Sequence, residues 1–310
     1  MEKETPPYAP RHWPSWLLMG LGRLLGVLPY PVQMWLGRRI GDLAYPLLRH
    51  RRHVADVNLR LCFPELDESE RRRLLREHFR SVGMGAMETL ICWWGSAAKI
   101  RRLTDLEGLR HLESAVSKGR GILLLSAHFT SLELGVRMAQ IHLKRLGLTT
   151  TAMYKPPHDP VVDYVMRRRR EHHIGGRSIP NDDVRGLLKA LKRGDAVWYA
   201  ADQKARNKFS GQVPFFGNPA RTSLATGRIA AMSGAAVVPF FTLRREDGRG
   251  YRLVVRPPLA DFPSGDESAD ARRLNALIED IVREAPAQYF WLHQRFKDGK
   301  HDPYAERASG

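Results

Sequence analysis

The chain has 310 residues, enough for one large domain or two small ones, and 43% of them are hydrophobic, which provides for a substantial core. Lysine and arginine number 50 against 33 acidic residues, a formal net charge of +17 that predicts an anionic partner: nucleic acid, anionic lipid or an acidic protein. The absence of zinc-ligand spacing and of interleaved glycine and aromatic residues sets nucleic acid aside, and two cysteines, Cys62 and Cys92, exclude a disulfide framework.

Residues 13–30 are apolar and tryptophan-flanked, but Arg23 interrupts them and Pro29 ends them. A spanning helix needs about 20 apolar residues, and this stretch is shorter. Val32, Met34, Trp35, Leu36 and Ile40 continue an amphipathic pattern, with Arg38 and Arg39 on the other side. Residues 1–48 therefore read as a membrane-attached region, either a short span or interfacial helices, facing an anionic membrane surface. Residues 54–96 read as helical, with Asp67, Glu68 and Glu70 forming an acidic start before the basic run 71–76.

Downstream, apolar runs alternate with amphipathic stretches. The pattern predicts strands over 121–127, 148–154, 195–201, 235–242 and 251–256, and helices over 131–143, 160–172, 182–193, 220–233 and 267–285. Asp247-Gly248 predicts a hairpin between the last two strands. This is an α/β pattern: one domain, 49–310, with a mainly parallel central sheet flanked by helices.

Residues 121–133 carry the main chemical signal. An apolar run suited to a central parallel strand delivers His128, with Glu133 five positions on. Within a continuous helix that spacing is about 140°, so the two meet only if His128 precedes the helix and Glu133 lies in its opening turn. The expectation is a general base, His128, held in one tautomer by Glu133. Ser126 and Ser131 lie near, but no Gly-x-Ser-x-Gly elbow occurs, so the attacking hydroxyl is expected from a substrate. Asp202 and Gln203 end the strand at 195–201 and fall on the same sheet edge as His128 if the two strands are parallel; Asp202 as a simple turn cap is the alternative. Lys155 also ends a strand, and the cations at 167–170 suit phosphate or sugar-acid groups. The apolar loop 213–217 reads as packing rather than as an acyl groove. His158, His172 and His173 lack metal-ligand spacing and are expected to be exposed.

At these residues the chain resembles the late acyltransferases of lipid A biosynthesis, within the lysophospholipid acyltransferase superfamily. The motif His-Phe-Thr-Ser-Leu-Glu at 128–133 looks most like that of the lauroyl enzymes, and the likeness extends through residues 58–65, 81–89, 197–200 and 288–293. The resemblance implies a Gram-negative inner-membrane enzyme with its catalytic domain on the cytoplasmic face. It would move a fatty acyl chain, lauroyl or similar, from acyl carrier protein to a hydroxyl of the lipid A precursor Kdo2-lipid IVA. It further implies His128 as base, Glu133 as its partner, and binding or supporting roles for Arg170, Asp202 and Gln203, with no metal or dissociable cofactor. Three positions depart from the lauroyl pattern. Lys155 stands for arginine, losing the bidentate fork; Ala201 stands for proline; and Lys204 stands for aspartate. Another lipid acceptor, such as a phosphatidylinositol mannoside or an ornithine lipid, fits the same chemistry. A basic membrane protein without catalysis is the reading from another class.

Overall fold

The computed structural model describes residues 6–174, 178–204, 209–298 and 302–305. Five helices open the chain: α1 (Trp13–Gly26), α2 (Tyr30–Leu47), α3 (Arg49–Cys62), α4 (Glu68–Trp94) and α5 (Ala97–Leu103). The acidic start of α4 is a capping box: Asp67 Oδ1 accepts from the Glu70 amide at 2.8 Å, and Glu70 Oε2 accepts from the Asp67 amide at 3.0 Å. Among the described residues no helix is long and apolar enough to cross a membrane, so neither α1 nor α2 meets the spanning form of the expectation.

The expected alternation follows: β1 (Thr104–Glu107), α6 (Leu109–Val116), β2 (Ile122–Ser126), α7 (Leu132–Leu143), β3 (Thr150–Tyr154), α8 (Pro160–Ile174), β4 (Ile179–Pro180), α9 (Val184–Lys192) and β5 (Ala196–Ala200). The rest of the chain forms β6 (Ser210–Phe215), β7 (Asn218–Ser223), α10 (Ala225–Ser233), β8 (Ala236–Arg244), β9 (Tyr251–Val255) and α11 (Glu267–Glu284). Seven strands make one sheet in the order β1-β9-β8-β2-β5-β3-β4. Every pairing in it is parallel except β8–β9, the hairpin closed around Asp247-Gly248.

β2 is wholly buried because both sheet faces are covered, and its alternating side chains feed different cores. Ile122 and Leu124 join Leu134 and Met138 of α7; Leu123 and Leu125 join Leu187 and Leu191 of α9 and Ile229 of α10. A third core holds α3, the start of α4, the β6–β7 hairpin and the chain's end around Tyr289 and Trp291.

Two expectations need correction. The segment 220–233 is not one helix: residues 218–223 pair with 210–215 as an antiparallel hairpin, and the helix starts at Ala225. Pro214 and Pro219 sit opposite each other there, which a helical reading obscures. Strands β1 and β4 were not anticipated; at four and two residues they lack any apolar run. Phe215 and Phe216 are buried against Tyr289 and Trp291, so the 213–217 segment packs, as expected, but residues 213–215 do so as the end of strand β6 and not as a loop.

Candidate active site

Strand register builds the site. In the parallel β2–β5 pair, Ser126 lies opposite Ala200. Two residues further along each strand direction are His128 and Asp202, which therefore arrive side by side at the carboxyl edge of the sheet, where α/β folds place ligands. His128 Nδ1 lies 2.7 Å from Asp202 Oδ1, and the His128 amide donates to Asp202 Oδ2 at 3.0 Å. Asp202 is 1% exposed while His128 keeps 30% of its side chain open. Burial alone would raise the Asp202 carboxyl. The neighbouring His128, with a hydrogen bond from Tyr289, overrides that and holds it at about 2. An ionised Asp202 can only accept, so Nδ1 carries the proton and Nε2 is left as the basic nitrogen.

This corrects the expected pairing. His128 does precede the helix and Glu133 is in the opening turn of α7, but the Glu133 carboxylate is turned to other partners. Its Oε1 accepts from Arg170 Nε at 2.9 Å and from Trp93 Nε1 at 3.1 Å, and its Oε2 accepts from Arg170 Nη2. The reason is electrostatic. A buried carboxylate is most stable against a guanidinium fork, and the imidazole already has a carboxylate delivered by sheet register. Burial raises the Glu133 carboxyl, but Arg170 more than offsets this and holds it below the usual carboxylate range. Arg170 Nη1 remains buried without a hydrogen-bond partner.

Behind the pair, the segment 288–293 clamps the loop that carries His128. Phe290 donates its amide to the His128 carbonyl at 2.9 Å, and the Thr130 amide donates to Gln288 O at 2.8 Å. Asn58, buried in α3, fixes this end segment by donating to Trp291 O at 2.7 Å and His293 O at 2.8 Å. Thr130 Oγ1 also accepts from Arg244 Nη1 at 2.9 Å, within a buried network in which Arg244 pairs with Glu88 at 2.5 and 2.6 Å. Glu88 accepts from Tyr251 as well, at 2.7 Å. The sequence blocks 58–65, 81–89 and 288–293 contain Asn58, Ser81, Glu88 and Gln288, yet their roles carried no local signal. Arg244 had none at all, being the polar last residue of an apolar strand.

The remaining expected residues are placed less centrally. Lys155 is exposed one residue past β3, and Gln203 is half-buried directly after Asp202. Neither is joined to His128 by a hydrogen bond. The Lys204 amide donates to His293 Nε2 at 3.1 Å, so position 204 contributes backbone to the site's rim. Cys62 and Cys92 are buried, as expected, and Cys92 Sγ contacts the Glu133 carbonyl at 3.3 Å. His158 and His172 are exposed, but His173 is half-buried against the Trp93 carbonyl at 3.1 Å, contrary to expectation.

Comparison with known proteins places this geometry. The chain matches the model of the bacterial lipid A biosynthesis acyltransferases over residues 1–298. It is 39% identical to the lipid A biosynthesis lauroyltransferase of Escherichia coli (strain K12), over 93% of this chain and 92% of that one. The palmitoleoyltransferase of the same strain is 38% identical over the same shares. Its myristoyltransferase is 29% identical over 96% of this chain and 92% of that one. With family match and identity both spanning nearly the whole length, the chain belongs to the bacterial lipid A biosynthesis acyltransferases and is an acyltransferase.

Proposed function

We propose that this enzyme moves a fatty acyl chain from acyl carrier protein to a hydroxyl of a lipid A precursor, Kdo2-lipid IVA, with His128 as general base. The observation that carries the reading is the His128–Asp202 contact of 2.7 Å, with a half-open imidazole at the sheet edge. Nε2 takes the proton of the acceptor hydroxyl while Asp202 holds Nδ1–H and stabilises the imidazolium. The acceptor oxygen attacks the thioester carbonyl, and the tetrahedral intermediate collapses. The C–S bond breaks, and the imidazolium returns its proton to the departing thiolate. In this scheme the developing oxyanion is met by a backbone N–H at the start of α7 or by Arg170, whose guanidinium Glu133 fixes. No metal or dissociable cofactor enters this scheme, and Lys155 and Gln203 serve substrate binding at its rim.

The relatives differ in the acyl chain their names carry, lauroyl, palmitoleoyl and myristoyl. A lauroyl donor is favoured by the motif 128–133. Attachment is interfacial, at the cytoplasmic face of the inner membrane: Leu17 is 75% exposed and Leu24 67%, and Trp13, Leu18, Leu21, Leu43 and Leu47 are exposed with them on α1 and α2. Mass spectrometry of the product from purified enzyme, Kdo2-lipid IVA and a mixture of acyl carrier thioesters tests the reading. The expected product is the acceptor plus one acyl group; an unchanged acceptor mass with every donor overturns it.

A further inference from the structure

Between α1 and α8 lies a cleft of about 480 Å³ that the reaction scheme leaves unused. Its volume is in the range of ligand pockets. Trp16, Met19 and Trp94 line it with apolar surface, and Arg23, Arg168 and Arg169 line it with guanidinium groups. The cleft is a built feature: Ser15 on α1 donates to Asp159, at the start of α8, at 2.6 Å, and the Trp16 and Tyr164 rings meet edge to face at 6.2 Å. Arg168 is pre-oriented, donating to the Tyr164 hydroxyl at 3.0 Å.

Three cations converge here without a counter-charge. Among the described residues none of Arg23, Arg168 and Arg169 forms an ion pair with a carboxylate, whereas Arg167 and Arg170 on the same helix do. Burial, and then the charges of Arg23 and Arg168, press the Arg169 guanidinium below its usual value, so the three cations are close enough to repel one another. An apolar floor beside unpaired guanidiniums suits one ligand chemistry, an anionic amphiphile whose phosphate meets the arginines and whose hydrocarbon lies on the tryptophans. On α1 the apolar residues 17, 21 and 24 lie next to the cleft-lining face, so a lipid can pass from bilayer to cleft along one helix.

Two adjacent-residue relations tie the cleft to the catalytic side. Arg169 lines it while Arg170 pairs with Glu133; Trp94 lines it while Trp93 donates to Glu133. We propose that the cleft formed by Trp16, Arg23, Trp94, Arg168 and Arg169 is the subsite that captures a phosphate of the acylated acceptor, placing its hydroxyl-bearing end across α8 at His128. This rests on the acyl-transfer reading above, and it adds the anchor that reading lacks.

The test uses the full-length enzyme in neutral detergent micelles, with Arg23→Gln/Arg169→Gln compared with the parent after circular dichroism has matched their folds. The acceptors are a bisphosphorylated, acylated glucosamine disaccharide and the same lipid after phosphatase treatment. The parent is expected to show a KM at least tenfold lower for the phosphorylated form. The variant should lose most of that preference, with kcat and the KM for the acyl carrier thioester within twofold of the parent. An unchanged preference in the variant overturns the proposal, as does a rise in KM for the carrier thioester alone. Equal weakening toward both acceptors, relieved by added phosphatidylglycerol, assigns the cleft to bilayer lipid and likewise overturns it. If the parent transfers no acyl group, the functional reading fails and the cleft is read separately, from tryptophan fluorescence. A change on adding the phosphorylated lipid, absent in the variant, supports the site, and an identical change in both removes it.

Discussion

His128 has one nitrogen committed to Asp202, and in the proposed reaction the other takes the substrate proton, so the two members of the pair should fail differently. His128→Ala removes the base and is expected to lower kcat by at least 10³-fold, read in the acyl-transfer assay. Asp202→Asn keeps the contact but can present its amide N–H to Nδ1, selecting the wrong tautomer; a loss of 10²- to 10⁴-fold at an unchanged melting temperature is expected. Retention of most activity in Asp202→Asn contradicts the orienting role. Glu133→Ala behaves otherwise. It leaves the buried Arg170 without its carboxylate, which costs about 3–5 kcal/mol, so thermal unfolding should fall together with turnover. A variant with normal stability and lost activity would return Glu133 to direct contact with the chemistry.

Helix α2 and helix α4 approach at glycines. A Cβ built on Gly37 would lie 2.6 Å from Met84 Cα, one on Gly41 2.3 Å from the Phe79 carbonyl oxygen, and one on Gly83 2.1 Å from the Gly37 carbonyl oxygen. All three clashes are with backbone, which cannot swing aside as a side chain does. Gly83→Ala therefore forces the helices apart, and overpacking of this kind costs about 1–3 kcal/mol. Because α4 also carries Ser81 and Glu88 to the Arg244 network behind Thr130, the same variant should lose activity beyond its loss of stability. Chemical denaturation and turnover at a temperature where the variant is fully folded separate the two effects. The C-terminal end of α4 is held by Arg137 of α7, which donates to the Ile91, Cys92 and Gly95 carbonyls, a cation placed where the helix dipole favours it. That clamp fixes Trp93 against Glu133.

Over the whole molecule, acid is expected to destabilise the fold through buried histidine. Burial keeps His78 neutral and depresses it from 6.5 to about 4 in the folded state, with its Nδ1 on the Ala287 carbonyl. The unfolded chain binds the extra proton first, so stability present above pH 6.5 is lost as pH falls toward 4, on the order of 3 kcal/mol. His173, also lowered to about 4, first by burial, acts in the same direction. Melting temperatures from pH 7 to 4.5 check this, and His78→Gln should flatten the slope. The +17 charge and the exposed leucines of α1 predict binding to anionic vesicles that weakens with salt but is not abolished. Leu17→Glu/Leu21→Glu should remove the salt-resistant part, measured by vesicle sedimentation.

Much of this was legible in the chain because it depends on local pattern. A five-residue apolar run fully buried between two helical layers has few alternatives to a central strand, and His128 at its end follows from that strand's length. The common edge of His128 and Asp202 was also legible, since parallel pairing of two predicted strands brings their ends together. The partner of each carboxylate was not. Asp202 is 74 positions from His128 and Glu133 is 37 from Arg170, so which pair forms depends on sheet register and on where α8 lies over α7. The same holds for the Arg244–Glu88 network, 156 positions apart, and for the paired prolines of β6 and β7. Sequence by itself determined the α/β alternation, the basic surface and the histidine at the strand end, because these follow from periodicity, composition and chain direction. Only the tertiary structure decided that Asp202 pairs with His128 and Glu133 with Arg170, because a buried charge takes the counter-charge that packing brings within reach.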